Sequence, residues 1–131
     1  MAYRWIEHTA ELELEIEAAT EEAVFADAVQ AFAELVDDDG RAEPVTFELR
    51  LDGHDRADLL AQWLDELVYQ AEIEALVPDE TKRIELSDDG VSATLRCHRA
   101  QPRHVIKGAT YHRLSFEPAG EGYRATVVLD V

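Results

Sequence analysis

Residues 10–17 alternate strictly, with Ala10, Leu12, Leu14 and Ile16 on one side and Glu11, Glu13, Glu15 and Glu17 on the other. That period of two predicts a strand buried on one face only. Thr20 then supplies an N-cap hydroxyl, and Glu21 and Glu22 suit the positive end of a helix dipole. Phe25, Ala28, Val29, Phe32, Leu35 and Val36 recur at helical spacing until the run Asp37-Asp38-Asp39-Gly40 ends the helix. Val45, Phe47, Leu49 and Leu51 alternate with polar residues and predict a second strand. Asp55 and Asp58 resemble a capping pair, opening a second helix whose apolar stripe is Leu60, Trp63, Leu64, Leu67, Val68 and Ala71, with Pro78 beyond its end.

The remainder is strand-like. Residues 83–86 and 91–97 flank Asp88-Asp89-Gly90, a hairpin signal, and put Val91, Ala93, Leu95 and Cys97 on one face. After Pro102, residues 110–117 and 123–131 form the last predicted hairpin around Pro118-Ala119-Gly120-Glu121-Gly122. Two helices among consecutive strands predict an α+β fold, with the helices packed on a largely antiparallel sheet in one domain spanning 1–131. No repeat, low-complexity tract or linker divides the chain.

Composition sharpens this picture. With 131 residues, 47% hydrophobic and 31% charged, the chain can bury a core, and its net charge of −17 opposes binding to phosphate backbones. Autonomous nucleic-acid binding is therefore not expected. No apolar run approaches the ~20 residues that span a bilayer, and the first residues lack the apolar region of a signal peptide, so the expected location is cytoplasmic with no membrane partner. The one cysteine, Cys97, is expected to be a core thiol. Charge is also uneven. Residues 1–40 carry 12 acids against Arg4 alone, whereas residues 91–116 hold no acid but contain Arg96, Arg99, Arg103, Lys107 and Arg113. That segment either neutralises acidic strands beside it or forms a functional basic surface. The acidity equally suits a high-salt cytoplasm.

Reaction motifs are missing: the sequence has no glycine-rich dinucleotide loop, P-loop, nucleophile elbow or His-Glu-x-x-His. The triple Asp at 37–39 lacks the alternating spacing of a calcium loop. What remains is carboxylate chemistry. The four glutamates of residues 10–17 share one face at ~7 Å intervals and need cations or a metal. Asp130 is penultimate in the apolar run Val127-Val128-Leu129-Asp130-Val131, one residue before the last in the sequence. If that end lies beside Glu11, three oxygen-donor groups converge where Ca²⁺ or Mg²⁺ could bind; otherwise Asp130 pairs with Arg124, Arg96 or Lys107.

The segments His8-Thr9-Ala10-Glu11, Thr20-Glu21-Glu22-Ala23, Trp63-Leu64-Asp65-Glu66-Leu67-Val68-Tyr69, Ile106-Lys107-Gly108-Ala109-Thr110-Tyr111-His112 and Leu129-Asp130-Val131 together resemble the archease family, in order and over nearly the whole chain. The resemblance implies a non-catalytic accessory factor of the RtcB-type RNA ligase of tRNA splicing and RNA repair. Such a factor promotes guanylylation of the ligase and multiple turnover. The resemblance further implies a divalent-metal site, of the Ca²⁺, Mg²⁺ or Mn²⁺ class, at Glu11, Asp130 and Val131, and an activating role for Lys107. The chain departs from the family pattern at Glu11, where Asp is usual, and at Glu13, where a small residue is usual. Glu11 keeps the charge and both oxygens but adds a methylene. Two other readings of the same residues are a small metal-dependent hydrolase and a salt-adapted acidic domain that binds an unrelated protein.

Overall fold

Among the described residues, seven strands and two helices follow in the order β1 (Ala2–His8), β2 (Glu11–Ala18), α1 (Glu21–Val36), β3 (Val45–Asp52), α2 (Arg56–Glu72), β4 (Leu76–Ser87), β5 (Gly90–Arg99), β6 (Gly108–Ala119) and β7 (Gly122–Asp130). The computed structural model describes residues 2–36, 42–103 and 105–131, so the helix stop read at 37–40 and His104 lie outside the described residues. All strand pairing is antiparallel. There are two sheets rather than the single one expected, ordered β1-β2-β7-β6 and β3-β5-β4. α1 packs mainly on β4 and β2, and α2 along β6 and on β4, so the helices join the two sheets.

Local signals account for most elements. Thr20 Oγ1 accepts the Ala23 N–H at 3.1 Å, and Asp55 accepts from Ala57 and Asp58 at the start of α2. Asp58 is not the second cap its spacing suggested, because its carboxylate turns instead to Gln62 and Tyr111. Arg56 Nε donates to Glu21 Oε2 at 2.9 Å and ties the first turns of the two helices together. Leu14, Ile16, Phe25, Phe32, Leu60, Trp63, Leu95, Val127 and Leu129 are fully buried in one continuous core, and Phe25 meets Trp63 edge to face at 5.3 Å. Cys97 lies in the same core, where burial, reinforced by the charge of Asp79, pushes its thiol up to about 11.

Three elements depart from the expectations. β1 was not anticipated; it turns Tyr3 and Trp5 toward the core, and Trp5 Nε1 donates to Ala31 O at 3.3 Å. Ala10 belongs to the β1–β2 turn, at φ 59°, a conformation that an L-residue adopts only with steric cost. Pro78 does not follow a helix end at a distance but sits inside β4, beside a register shift between Pro78 and Glu80 where a ladder N–H is not needed.

The contact that places β6 against α2 is a row of carboxylates. Glu72 Oε2 accepts the Ile106 N–H at 3.2 Å, Asp65 Oδ1 the Ala109 N–H at 2.6 Å, and Asp58 Oδ1 the Tyr111 hydroxyl at 2.6 Å. The three acids recur every seven residues, about 10.5 Å along a helix face. Three residues of extended chain, from 106 to 109, cover about the same distance. That step matches the interval from Glu72 to Asp65, and the Tyr111 side chain supplies the reach to Asp58, so one helix face clamps the segment that contains Lys107. Replacing Asp65 by Ala removes a charge-assisted bond and is expected to lower stability by about 1–2 kcal/mol, roughly 3–8 °C in Tm. Asp65→Asn, which keeps an acceptor, should lose less. Thermal unfolding followed by circular dichroism checks this, and a wild-type Tm for Asp65→Ala would mean the clamp carries no load.

Candidate functional site

The outward face of β2 shows how four glutamates coexist. Glu11 stands opposite His8 on β1 and Asp130 on β7; Glu13 opposite Ile6 and Val128; Glu15 opposite Arg4 and Thr126; Glu17 opposite Ala2 and Arg124. Side chains so paired have Cβ atoms about 5 Å apart. Cations are supplied strand by strand: Arg4 Nε donates to Glu15 at 2.8 Å and Arg124 Nε to Glu17 at 3.3 Å. Glu13 is served by His8 Nε2 at 3.2 Å and by Arg113 Nε at 2.9 Å. Glu13 is the most enclosed of the four, 9% exposed. Burial alone would raise its affinity for a proton, but hydrogen bonds with His8, Glu15 and Arg113, and the charge of Arg113, together hold its carboxyl below the usual range.

Arg113 comes from two strands away. Between the pairs Thr110–Val128 and Ser115–Thr126, residues 111–114 of β6 stand against Val127 alone, so the chain bulges outward. Arg113 sits in that bulge at φ 58°. Tyr111 is pinned to Asp58 and the His112 N–H to Thr110 Oγ1 at 2.8 Å, and the guanidinium reaches over β7 to β2. Val128, between Glu13 and Thr110 in register, is fully buried although it is outside the main core.

The residues singled out in the sequence meet at one corner. Glu11 and Asp130 are direct register partners. The Val131 N–H donates to Ala10 O at 3.2 Å, which ties the last residue to the β1–β2 turn, and the Lys107 N–H donates to Asp130 O at 2.8 Å. Gly108 is the β6 partner of Asp130 and puts no side chain beside it. Asp130 and Lys107 are exposed, and among the described residues neither side chain has a hydrogen bond or ion pair. Arg124 and Arg96, the expected alternatives for Asp130, pair with Glu17 and Glu80 instead. An open groove of about 860 Å³ adjoins the corner, lined by residues including Trp5, His8, Glu11, Leu35, Arg103 and Val131.

A hard divalent ion asks for oxygen donors; the carboxylates of Glu11 and Asp130 are of that type, and the main chain of Val131 adjoins them. One contact competes: Arg113 Nη2 lies 3.7 Å from Glu11 Oε2. Among the described residues no group of three or more His, Cys, Asp or Glu side chains is poised to hold a metal, so Glu11 and Asp130 offer two carboxylates at the corner and no third side-chain donor of these types. The arginine-rich segment is largely spent on structure. Arg96 meets Glu80, Arg99 donates to Glu74 O at 2.7 Å, Arg103 donates to Glu34 O at 3.1 Å, and His98 Nδ1 lies 2.8 Å from Asp79. The sequence reading missed the link from Arg113 to Glu13 and the clamp on α2. The seven-residue spacing of Asp58, Asp65 and Glu72 was a signal for the clamp.

Comparison with known proteins identifies the family of the chain. The model of the Archease protein family matches residues 3–131. Archeases of Saccharolobus islandicus and Methanosarcina acetivorans are each 30% identical over 139 residues, covering 99% of this chain and 99% of the relative in the first case, and 98% and 95% in the second. In structure the chain is similar to protein 1598 of Methanobacterium thermoautotrophicum, with a TM-score of 0.73 at 24% identity, covering 98% of both chains. It is also similar to an archease of Thermotoga maritima called a "possible chaperone", with a TM-score of 0.70 at 25% identity, covering 96% of this chain and 94% of that one. The family match and the shared two-sheet, two-helix fold make this chain a member of the archease family.

Proposed function

We propose that this archease is a non-catalytic activator of an RtcB-type RNA ligase, working through the corner where Glu11, Asp130, Val131 and Lys107 meet. One observation carries the reading: the antiparallel register makes Glu11 and Asp130 direct neighbours, and a main-chain hydrogen bond fixes Lys107 against Asp130. The chaperone description of the Thermotoga maritima relative fits the same general role, an accessory protein acting on another protein.

The residues divide the work by chemistry. Glu11, Asp130 and Val131 would hold the divalent ion, which when bound supplies a concentrated positive charge for a nucleotide phosphate or a ligase carboxylate. Lys107 presents an ammonium beside that charge. Its backbone is tied on either side, by the Ile106 N–H on Glu72 and the Ala109 N–H on Asp65. A preset cation costs little reorganisation when it meets phosphate. The acidic outer strands face a partner whose own surface must be basic to hold RNA, and complementary fields raise the association rate.

Multiple-turnover ligation by the partner ligase, with catalytic amounts of this protein, tests the assignment. Lys107→Ala and Asp130→Ala are each expected to lose the stimulation, while Lys107→Ala changes stability by no more than ~0.5 kcal/mol. Lys107→Arg should rescue in part, since a planar fork does not replace a compact point charge. Full stimulation by both alanine variants would remove this corner from the function. Separately, the association rate with the ligase should fall steeply as salt is raised while the dissociation rate changes little. A salt-independent association rate would assign the acidity to solubility.

A further inference from the structure

We propose that Arg113 is a displaceable internal cation that competes with the divalent ion for Glu11 and thereby sets the ion's affinity. The inference rests on the metal reading above and adds a regulator to that site.

The two contacts of Arg113 are unequal. Its Nε makes a 2.9 Å hydrogen bond to Glu13 Oε1, whereas its Nη2 stands 3.7 Å from Glu11 Oε2, beyond hydrogen-bond reach. Glu13 is therefore the anchor and Glu11 the loosely held end. The anchor is enclosed and also bonded to His8, so the guanidinium stays tethered when the Glu11 end lets go.

Nothing about this reach is incidental. Strand β7 separates Arg113 from its partners, and two interstrand spacings amount to roughly 9.5 Å. The bulge spans the gap by lifting four residues of β6 over one of β7, with Arg113 in a left-handed conformation that is sterically unfavourable for it. The bulge is held on its flank by Tyr111 on Asp58 and by the His112 N–H on Thr110. A strained, braced segment that delivers one guanidinium to two carboxylates is a built arrangement.

Asp130, on the other side of Glu11, has no cation among the described residues. An ion held by Glu11 and Asp130 would share Glu11 with the Arg113 guanidinium, and like charges that share one carboxylate repel. Glu13 makes the competitor possible. A small residue there would leave Arg113 without its hydrogen-bonded anchor, and Glu11 would be free for the ion alone.

Calorimetric titration of the full chain with Ca²⁺ alone, at fixed ionic strength, tests the proposal. Arg113→Gln removes the charge while leaving a donor for Glu13, and it is expected to bind Ca²⁺ about tenfold tighter than the wild type. Arg113→Ala should show the same direction. Arg124→Gln, the same charge change at the partner of Glu17, should stay within about twofold of the wild type. Equal or weaker binding by Arg113→Gln, or an equal gain in Arg124→Gln, would overturn the competition and leave the metal site standing. Asp130→Ala is expected to abolish binding. Wild-type affinity in that variant, or no binding in the wild type and Arg113→Gln alike, would overturn the metal reading itself and the inference with it.

Discussion

The placement of β7 between β2 and β6 is the constraint on which the rest depends. Its inner face is fixed by apolar pairs, Leu12 with Leu129, Leu14 with Val127 and Ile16 with Ala125, and a slip of one residue would turn that whole set to solvent. The hydrophobic register therefore decides the polar one. Because Leu14 must face Val127, Glu11 must face Asp130, and residues 119 apart in sequence become neighbours without any polar contact being needed to recruit them. The β1–β2 turn completes the corner, since a strained Ala10 offers its carbonyl to the Val131 N–H.

The second constraint is the face of α2. Asp58, Asp65 and Glu72 satisfy main-chain and hydroxyl donors of the segment 106–111, so a strongly acidic chain spends negative charge on holding backbone rather than on repulsion. Its few cations are used as sparingly. Each outward glutamate of β2 has a cationic neighbour, and the acid-free stretch is mostly consumed by carbonyls and by Glu80, Glu11 and Glu13. Against that background Lys107 stands out, exposed and with no hydrogen bond or ion pair to its side chain among the described residues, and it belongs to the corner proposed for function.

Local chemistry was legible in the sequence and non-local chemistry was not. Both helices, the alternation of β2 and β3 and the β4–β5 hairpin follow from period, capping and turn residues. β1 escaped because Trp5 and Ile6 break the alternation and the Thr9–Ala10 turn lacks glycine, asparagine or aspartate. The division into two sheets escaped because strand order is set by core packing between distant segments, as when β7 enters between β2 and β6. The meeting of Glu11 and Asp130 was stated only as a condition, and the register satisfies it. The Arg113–Glu13 bond, 100 residues apart and dependent on a bulge, left no sequence signal beyond a basic residue in an acid-free stretch. The functional assignment came from resemblance, and the family match supports it at the level of family.

The account stands or falls on where a divalent ion settles. Mn²⁺ titrated at substoichiometric amounts into isotopically labelled protein broadens the amide signals nearest to it. The account predicts first loss at Glu11, Asp130, Val131 and Lys107, with the Asp88–Asp89 turn and the outward faces of β3 and β4 unaffected at the same ratio. Broadening centred on any other acidic surface, or spread evenly over all of them, would contradict it.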